Sequence, residues 1–123
     1  MKKKILFFSG NRAEYYLIIP IILSFLKDNR FDISLLKGTS SIDKNNEFKD
    51  IIFEKKLKKI INFDYSLSQS SLIKNTINFS RIILKSSKII NIVKPNMVFL
   101  YGDRFETFAV SNAVFQLNIP ISH

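Results

Sequence analysis

Met97-Val98-Phe99-Leu100-Tyr101-Gly102-Asp103-Arg104-Phe105-Glu106 is the stretch whose reading decides the fold. A run of 5 apolar residues halted by glycine and then by charge reads as a strand buried on both faces. Lys94-Pro95-Asn96 stops a helical pattern just before it, and a further helix is expected from about Phe105 to Leu117. The chain opens on the same kind of unit. Lys4-Ile5-Leu6-Phe7-Phe8 is a continuous apolar run ended by Ser9-Gly10, and a helix is expected from about Glu14 to Asp28. Its Ile18, Ile19, Ile22, Leu23 and Leu26 recur at helical spacing, and Pro20 is tolerable only near the first turn.

Between these units lie further elements. Asp32 to Leu36 reads as a second strand closed by Lys37-Gly38-Thr39, and Ile60-Ile61-Asn62-Phe63 as a third. Glu47 to Leu57 places Phe48, Ile51 and Ile52 on one face of a short amphipathic helix. A Ser-rich piece from Ser66 to Ser71 leads into a long helix. There Lys74, Asn78, Arg81, Lys85 and Lys88 form one polar stripe, while Phe79, Ile82, Ile83, Ile89, Ile90 and Val93 turn elsewhere. Asn118-Ile119-Pro120-Ile121-Ser122-His123 begins another strand. Strands alternating with helices imply right-handed crossovers: an α/β, Rossmann-like parallel sheet with flanking helices. No repeat or long linker divides residues 1–123.

Composition narrows the function. An apolar share of 46% in 123 residues fits one globular domain with its own core. The formal charge of +9 invites a nucleic-acid reading, but lysine supplies 15 of the 19 basic residues in a chain rich in Lys, Asn and Ile. That is a compositional bias on tolerant positions, and the basic stripe reads as a solvated face; no nucleic-acid partner is expected. Zero cysteines exclude disulfides, thiolate catalysis and Cys-ligated zinc. Met1-Lys2-Lys3-Lys4 imitates a signal-peptide start, yet its apolar run is short and meets Gly10-Asn11-Arg12 with no small-residue cleavage site. Leu17 to Leu26 falls short of the ~20 apolar residues that cross a bilayer. No membrane partner and a cytoplasmic location are expected.

In an open parallel sheet, ligands gather at the carboxyl ends of the strands. Three strands end here in polar or glycine-containing turns: Ser9-Gly10-Asn11-Arg12, Gly102-Asp103-Arg104 and Ser122-His123. Two of the 4 arginines and the single histidine lie in these turns. Arginine suits a phosphate because its planar fork donates parallel hydrogen bonds, and the helix N-terminus after Gly10 adds amides. A structural reading stands beside this one. Gly10 and Gly102 serve equally as tight-turn residues, and Asp103 with Glu106 three residues later forms a capping-box pattern. Neither the dinucleotide fingerprint nor a Walker lysine motif is present.

Lys4 to Tyr15, with Pro20 beyond it, resembles the opening of the UDP-N-acetylglucosamine 2-epimerase family. Lys94 to Glu106 resembles that family's second motif, and Asn118 to His123 is similar to the run before its Gly-Gly-Glu segment. Gly102-Asp103-Arg104, in place of Gly-Asp-Thr, resembles the hydrolysing branch that feeds sialic and legionaminic-type acid synthesis. The resemblance implies a GT-B-type two-domain fold, of which residues 1–123 form a partial N-terminal domain without the C-terminal one. It implies a UDP-sugar in the cleft, removal of the C2 proton, elimination of UDP and hydration to N-acetylmannosamine, with neither metal nor other cofactor. By position, Asp103 is an acid/base or orienting carboxylate and His123 lies beside the sugar. Arg12 contacts phosphates or uridine and Arg104 the nucleotide sugar, with Gly10, Glu14 and Gly102 completing the substrate-binding set. Tyr16 stands where hydrolysing relatives carry a small Gly or Ser. The family's glutamate after His123 lies beyond these residues, so the 123-residue chain is expected not to turn over alone, and its uncovered apolar faces favour aggregation or partnering. A complete chain is expected to form a family-like homo-oligomer. The competing readings are a free-standing Rossmann-like nucleotide-binding module without catalysis and a basic nucleic-acid or envelope-associated protein.

Overall fold

The computed structural model describes residues 1–39, 56–64 and 71–123, with every side chain among them except those of Arg12, Thr39, Phe63 and Asp64. In chain order the elements are β1 (Lys3–Ser9), α1 (Arg12–Leu26), β2 (Phe31–Thr39), β3 (Lys59–Asp64), α2 (Leu72–Val93), β4 (Met97–Phe99), α3 (Phe105–Gln116) and β5 (Ile121–Ser122). Among the described residues they build a 5-stranded sheet in the order β3-β2-β1-β4-β5. Every pairing is parallel. The fold expected from the alternation of strands and helices is the one observed.

β1 sits at the centre, and its alternating side chains explain why Ile5-Leu6-Phe7-Phe8 is apolar without interruption. Leu6 and Phe8 pack with Leu36 against Ile82 and Ile90 of α2 and Ala109, Val110, Ala113 and Val114 of α3. Ile5 and Phe7 face the other way and pack with Ile33 and Leu35 against Tyr15, Ile18 and Ile22 of α1. Where a strand with period-two side chains has helices on both faces it has no position left for a solvated residue, and the exposed Lys3 and Lys4 stand at the start of β1, ahead of that stretch. The Phe7 ring lies 5.7 Å from Phe25 and 5.0 Å from Phe99. Fully burying one such side chain contributes about 1.5–3 kcal/mol.

Three expectations are corrected by packing. α1 begins at Arg12, because Asn11 caps it, and Pro20 therefore falls in mid-helix, not near the first turn. Pro20 is exposed, so the ladder bond it deletes lies on the solvent side while Ile18 and Ile22 hold the other side to the sheet. Leu23, expected on the apolar face, is 39% exposed. In α2 the stripe loses a member: Asn78 joins Ile82, Ser86 and Ile90 in the buried line of the helix. Lys74, Arg81, Lys85 and Lys88 are exposed as expected. Ser86 is accommodated in the core because its hydroxyl donates to the Ile82 carbonyl at 2.6 Å. The expected helix over Glu47–Leu57 and the Ser66–Ser71 piece fall largely outside the described residues.

α2 starts on Ser71, whose hydroxyl accepts from the Lys74 amide, and stops at Lys94 in the left-handed region (φ 51°), just before buried Pro95. That stop aims the chain back into the sheet as β4, beside β1. Among the described residues, no helix is long and apolar enough to cross a membrane.

Candidate functional site

The chain reverses its direction of travel across the sheet between β1 and β4. β2 and β3 are added on one side of β1, and β4 and β5 on the other. At such a switch point the loops leaving two adjacent parallel strands diverge to opposite faces and open a crevice at their carboxyl ends. Here those loops are Ser9-Gly10-Asn11, leading into α1, and Leu100 to Arg104, leading into α3.

Each loop is held by its own hydrogen bonds. The Asn11 side chain accepts from the Glu14 amide at 3.0 Å, an N-cap, and the Ser9 hydroxyl donates to the Asn11 carbonyl at 3.0 Å. In the second loop Gly102 takes φ +93°, a conformation only glycine adopts without strain. The N-cap of α3 is Arg104, with extended backbone and no side-chain cap bond. The capping-box reading of Asp103 is thereby corrected. Asp103 precedes the cap, is exposed, and makes no hydrogen bond or ion pair among the described residues.

The two loops are locked together by a crossed pair of contacts. A β-carbon placed on Gly10 would lie 2.5 Å from Cγ of Glu106, which belongs to α3. A β-carbon on Gly102 would clash with Glu14 Oε1, which belongs to α1. Each helix thus sends a glutamate against the glycine of the other helix's leading loop. Both glutamates are buried: Glu14 is 7% exposed and Glu106 0%. Glu14 Oε2 and both Glu106 oxygens accept no hydrogen bond among the described residues. Arg104 Nε lies 2.8 Å from Glu106 Oε1, an ion pair by distance but not aligned as a hydrogen bond, with Arg104 half exposed.

This crowding of carboxylates has an electrostatic consequence. Burial pushes the Glu14 carboxyl above its ordinary value of 4.5, and the nearby Glu106 charge pushes the same way. Asn11, the Gly10 amide and the Arg104 guanidinium pull it back only in part. Buried, mutually repelling carboxylates are costly to a fold and are concentrated at functional sites.

β5 delivers the last component. It pairs with β4, the Leu100 amide donates to the Ser122 carbonyl at 2.8 Å, and His123 follows directly. His123 Nε2 lies 2.8 Å from the Gly102 carbonyl. A carbonyl only accepts, so Nε2 carries a proton and donates it, and the other ring nitrogen, Nδ1, is not used in this bond. A cavity of about 360 Å³ is lined among the described residues by Asn75, Thr76 and Phe79 of the first two turns of α2 and by Phe105 at the start of α3.

Of the residues singled out from sequence, Gly10, Glu14, Gly102, Arg104 and His123 are linked through these contacts, with Asp103 on the same turn. Arg12 is the first residue of α1; its side chain lies outside those described. Glu106 was missed as a site residue. The capping-box pattern had already flagged it, but gave it a different role. The signal that would have found it is a carboxylate in the first turn of a helix opposite a glycine loop.

A family model described as UDP-N-acetylglucosamine 2-epimerase matches residues 25–123. Among solved structures, one crystal structure of a UDP-N-acetylglucosamine 2-epimerase superposes with a TM-score of 0.80 at 22% identity, covering 100% of this chain and 33% of that one. The UDP-GlcNAc 2-epimerase of Neisseria meningitidis bound to UDP-GlcNAc gives 0.72 at 21% identity, covering 96% and 31%. The S. aureus MnaA–UDP co-structure gives 0.72 at 23% identity, covering 98% and 30%. The chain therefore spans about a third of the length of these three structures. No curated protein sequence matches it.

Proposed function

This chain belongs to the UDP-N-acetylglucosamine 2-epimerase family, and from that membership we propose that its switch-point crevice is the N-terminal half of a UDP-sugar site. The observation that carries the proposal is the crossed glycine–glutamate contact, which brings the Gly10 loop, the Gly102-Asp103-Arg104 turn and His123 to one edge of the sheet. In this reading Arg104 and Arg12 bind the nucleotide end, and exposed Asp103 acts on, or orients, the sugar. His123 presents Nδ1 toward the sugar. Gly10 and Gly102 let the loops approach closely, and Glu14 braces the Gly102 turn from below. A carboxylate works on a weakly acidic sugar proton only where its surroundings exclude water. A second domain closing over the crevice would supply that exclusion, so residues 1–123 serve as part of the N-terminal domain of a GT-B-type enzyme.

The hydrolysing reaction, UDP-GlcNAc to N-acetylmannosamine and free UDP, is the form we propose. It is supported by arginine at position 104, which is ion-paired to Glu106 and therefore built into the turn. The product class fits the supply of sialic or legionaminic-type acid precursors in the cytoplasm.

Saturation-transfer NMR with UDP tests the site, and 31P NMR with UDP-GlcNAc tests the chemistry. The 123-residue chain should bind UDP, bind it measurably more weakly in Arg104→Ala, and leave UDP-GlcNAc intact. Absence of UDP binding would refute the site, and release of UDP by the 123 residues alone would refute the need for a second domain.

A further inference from the structure

We propose that Glu106 is a positioning residue: its buried carboxylate holds the Arg104 guanidinium by the Nε edge, so that the terminal nitrogens are presented to the anionic end of a nucleotide sugar. The inference rests on the UDP-sugar reading above but concerns a residue which that reading leaves without a role.

The geometry argues against a local helical coincidence. Residues two apart on a helix do not face each other, yet Arg104 and Glu106 meet at 2.8 Å. They meet because Arg104 is the N-cap, with φ −75° and ψ 163°, and its side chain folds back from outside the helix. Glu106 is fully buried while its partner is half exposed. The anchor is therefore the rigid member and the arginine the presented one. A guanidinium has five N–H donors. Among the described residues its ion pair with Glu106 runs through Nε, and the two terminal nitrogens carry four donors for a ligand.

A structural role explains the arrangement poorly. Glu106 gains no aligned hydrogen bond, is repelled by Glu14, and occupies the space a side chain at position 10 would need. An apolar residue of the same shape would relieve the first two of those three costs. Its position at the first turn of α3 favours a negative charge, but only modestly for a group whose oxygens lack donors. A buried charge kept at a strand end beside an arginine is better explained by what it does to that arginine.

The test separates positioning from both charge and packing. Removing a negative charge beside an anion site tightens anion binding if electrostatics alone operate, whereas loss of a positioned guanidinium weakens it, so the sign decides. Fixing a flexible side chain in advance saves about 0.5–1.5 kcal/mol on binding. Glu106→Gln is therefore expected to weaken UDP affinity roughly three- to tenfold, at fixed ionic strength, with a melting temperature equal to or above that of the unsubstituted chain. In an Arg104→Ala background the same substitution should change UDP affinity less than about twofold.

A second readout does not depend on UDP. The chain has 4 arginines, and the Arg104 Nε–H resonance is identified by its loss in Arg104→Lys. Its 15N heteronuclear NOE should match the folded backbone and fall to that of a free side chain in Glu106→Gln. Unchanged or tighter UDP binding in Glu106→Gln, or an NOE that does not fall, overturns the proposal. If the unsubstituted chain fails to bind UDP, the functional reading fails, and the NOE alone decides the role of Glu106.

Discussion

Gly10→Ala is a single added methyl group whose effect can be worked out from the structure, and it probes the contact on which the site depends. The new β-carbon would lie 2.5 Å from Glu106 Cγ and 3.2 Å from its Oε1. Carbon atoms pack best at about 3.5–4.0 Å, so the neighbour must retreat by roughly an ångström. Cγ lies in the middle of the side chain, and Glu106 is 0% exposed, so it cannot swing into solvent. Overpacking of this kind costs about 1–3 kcal/mol. Where a site tolerates it, glycine to alanine stabilises by about 0.4–1 kcal/mol through the unfolded chain, so even the sign is diagnostic. For a domain of this size the loss corresponds to a drop of roughly 3–15 °C in melting temperature, followed by circular dichroism at 222 nm. Glu106→Ala removes the obstacle, and in that background Gly10→Ala should cost less than about 0.5 kcal/mol. The coupling of about 1–3 kcal/mol exceeds the ordinary non-additivity of separate sites. A stabilised Gly10→Ala protein, or a cycle in which the two substitutions simply add, would refute the crossed-contact argument.

The reciprocal substitution, Gly102→Ala, meets Glu14 and also forces a side chain to φ +93°, so its cost should be larger, about 2–5 kcal/mol, and only its steric part should be relieved by Glu14→Ala. Glu14 should also shape the pH dependence of stability. Its carboxyl is raised in the folded protein, so the folded state holds the proton more tightly than the unfolded one. Stability contributed by that proton is complete below the ordinary value of 4.5 and is lost as pH rises through the raised folded value. Urea midpoints of Glu14→Gln should therefore exceed those of the parent at pH 7 and converge with them near pH 4. A variant less stable at pH 7 would show that Glu14 stabilises the fold as a charge.

The elements were legible because apolar runs, glycine stops and helical spacing are local consequences of which faces are buried. Errors arose where burial depended on the partner. Asn78 follows the polar rhythm of α2, yet it lies in the buried line that packs toward the sheet. Pro20 breaks a local rule and is retained because the missing bond is on the solvent side of a helix held by Ile18 and Ile22. Asp103 fits a capping box in every respect a sequence shows, but the backbone makes Arg104 the cap.

By itself, the sequence determined the strands, the helices and the three turns where the site residues lie, because those features repeat the chemistry of neighbours along the chain. Only the tertiary structure decided that β4 passes β2 and β3 to pair with β1, which brings Gly10 within reach of Glu106 and Gly102 within reach of Glu14, contacts across 96 and 88 positions of the chain. That decision also turned Glu106 from a presumed helix-cap partner into a buried anchor for Arg104. Desolvation and charge repulsion act through space, and no spacing along the chain records them.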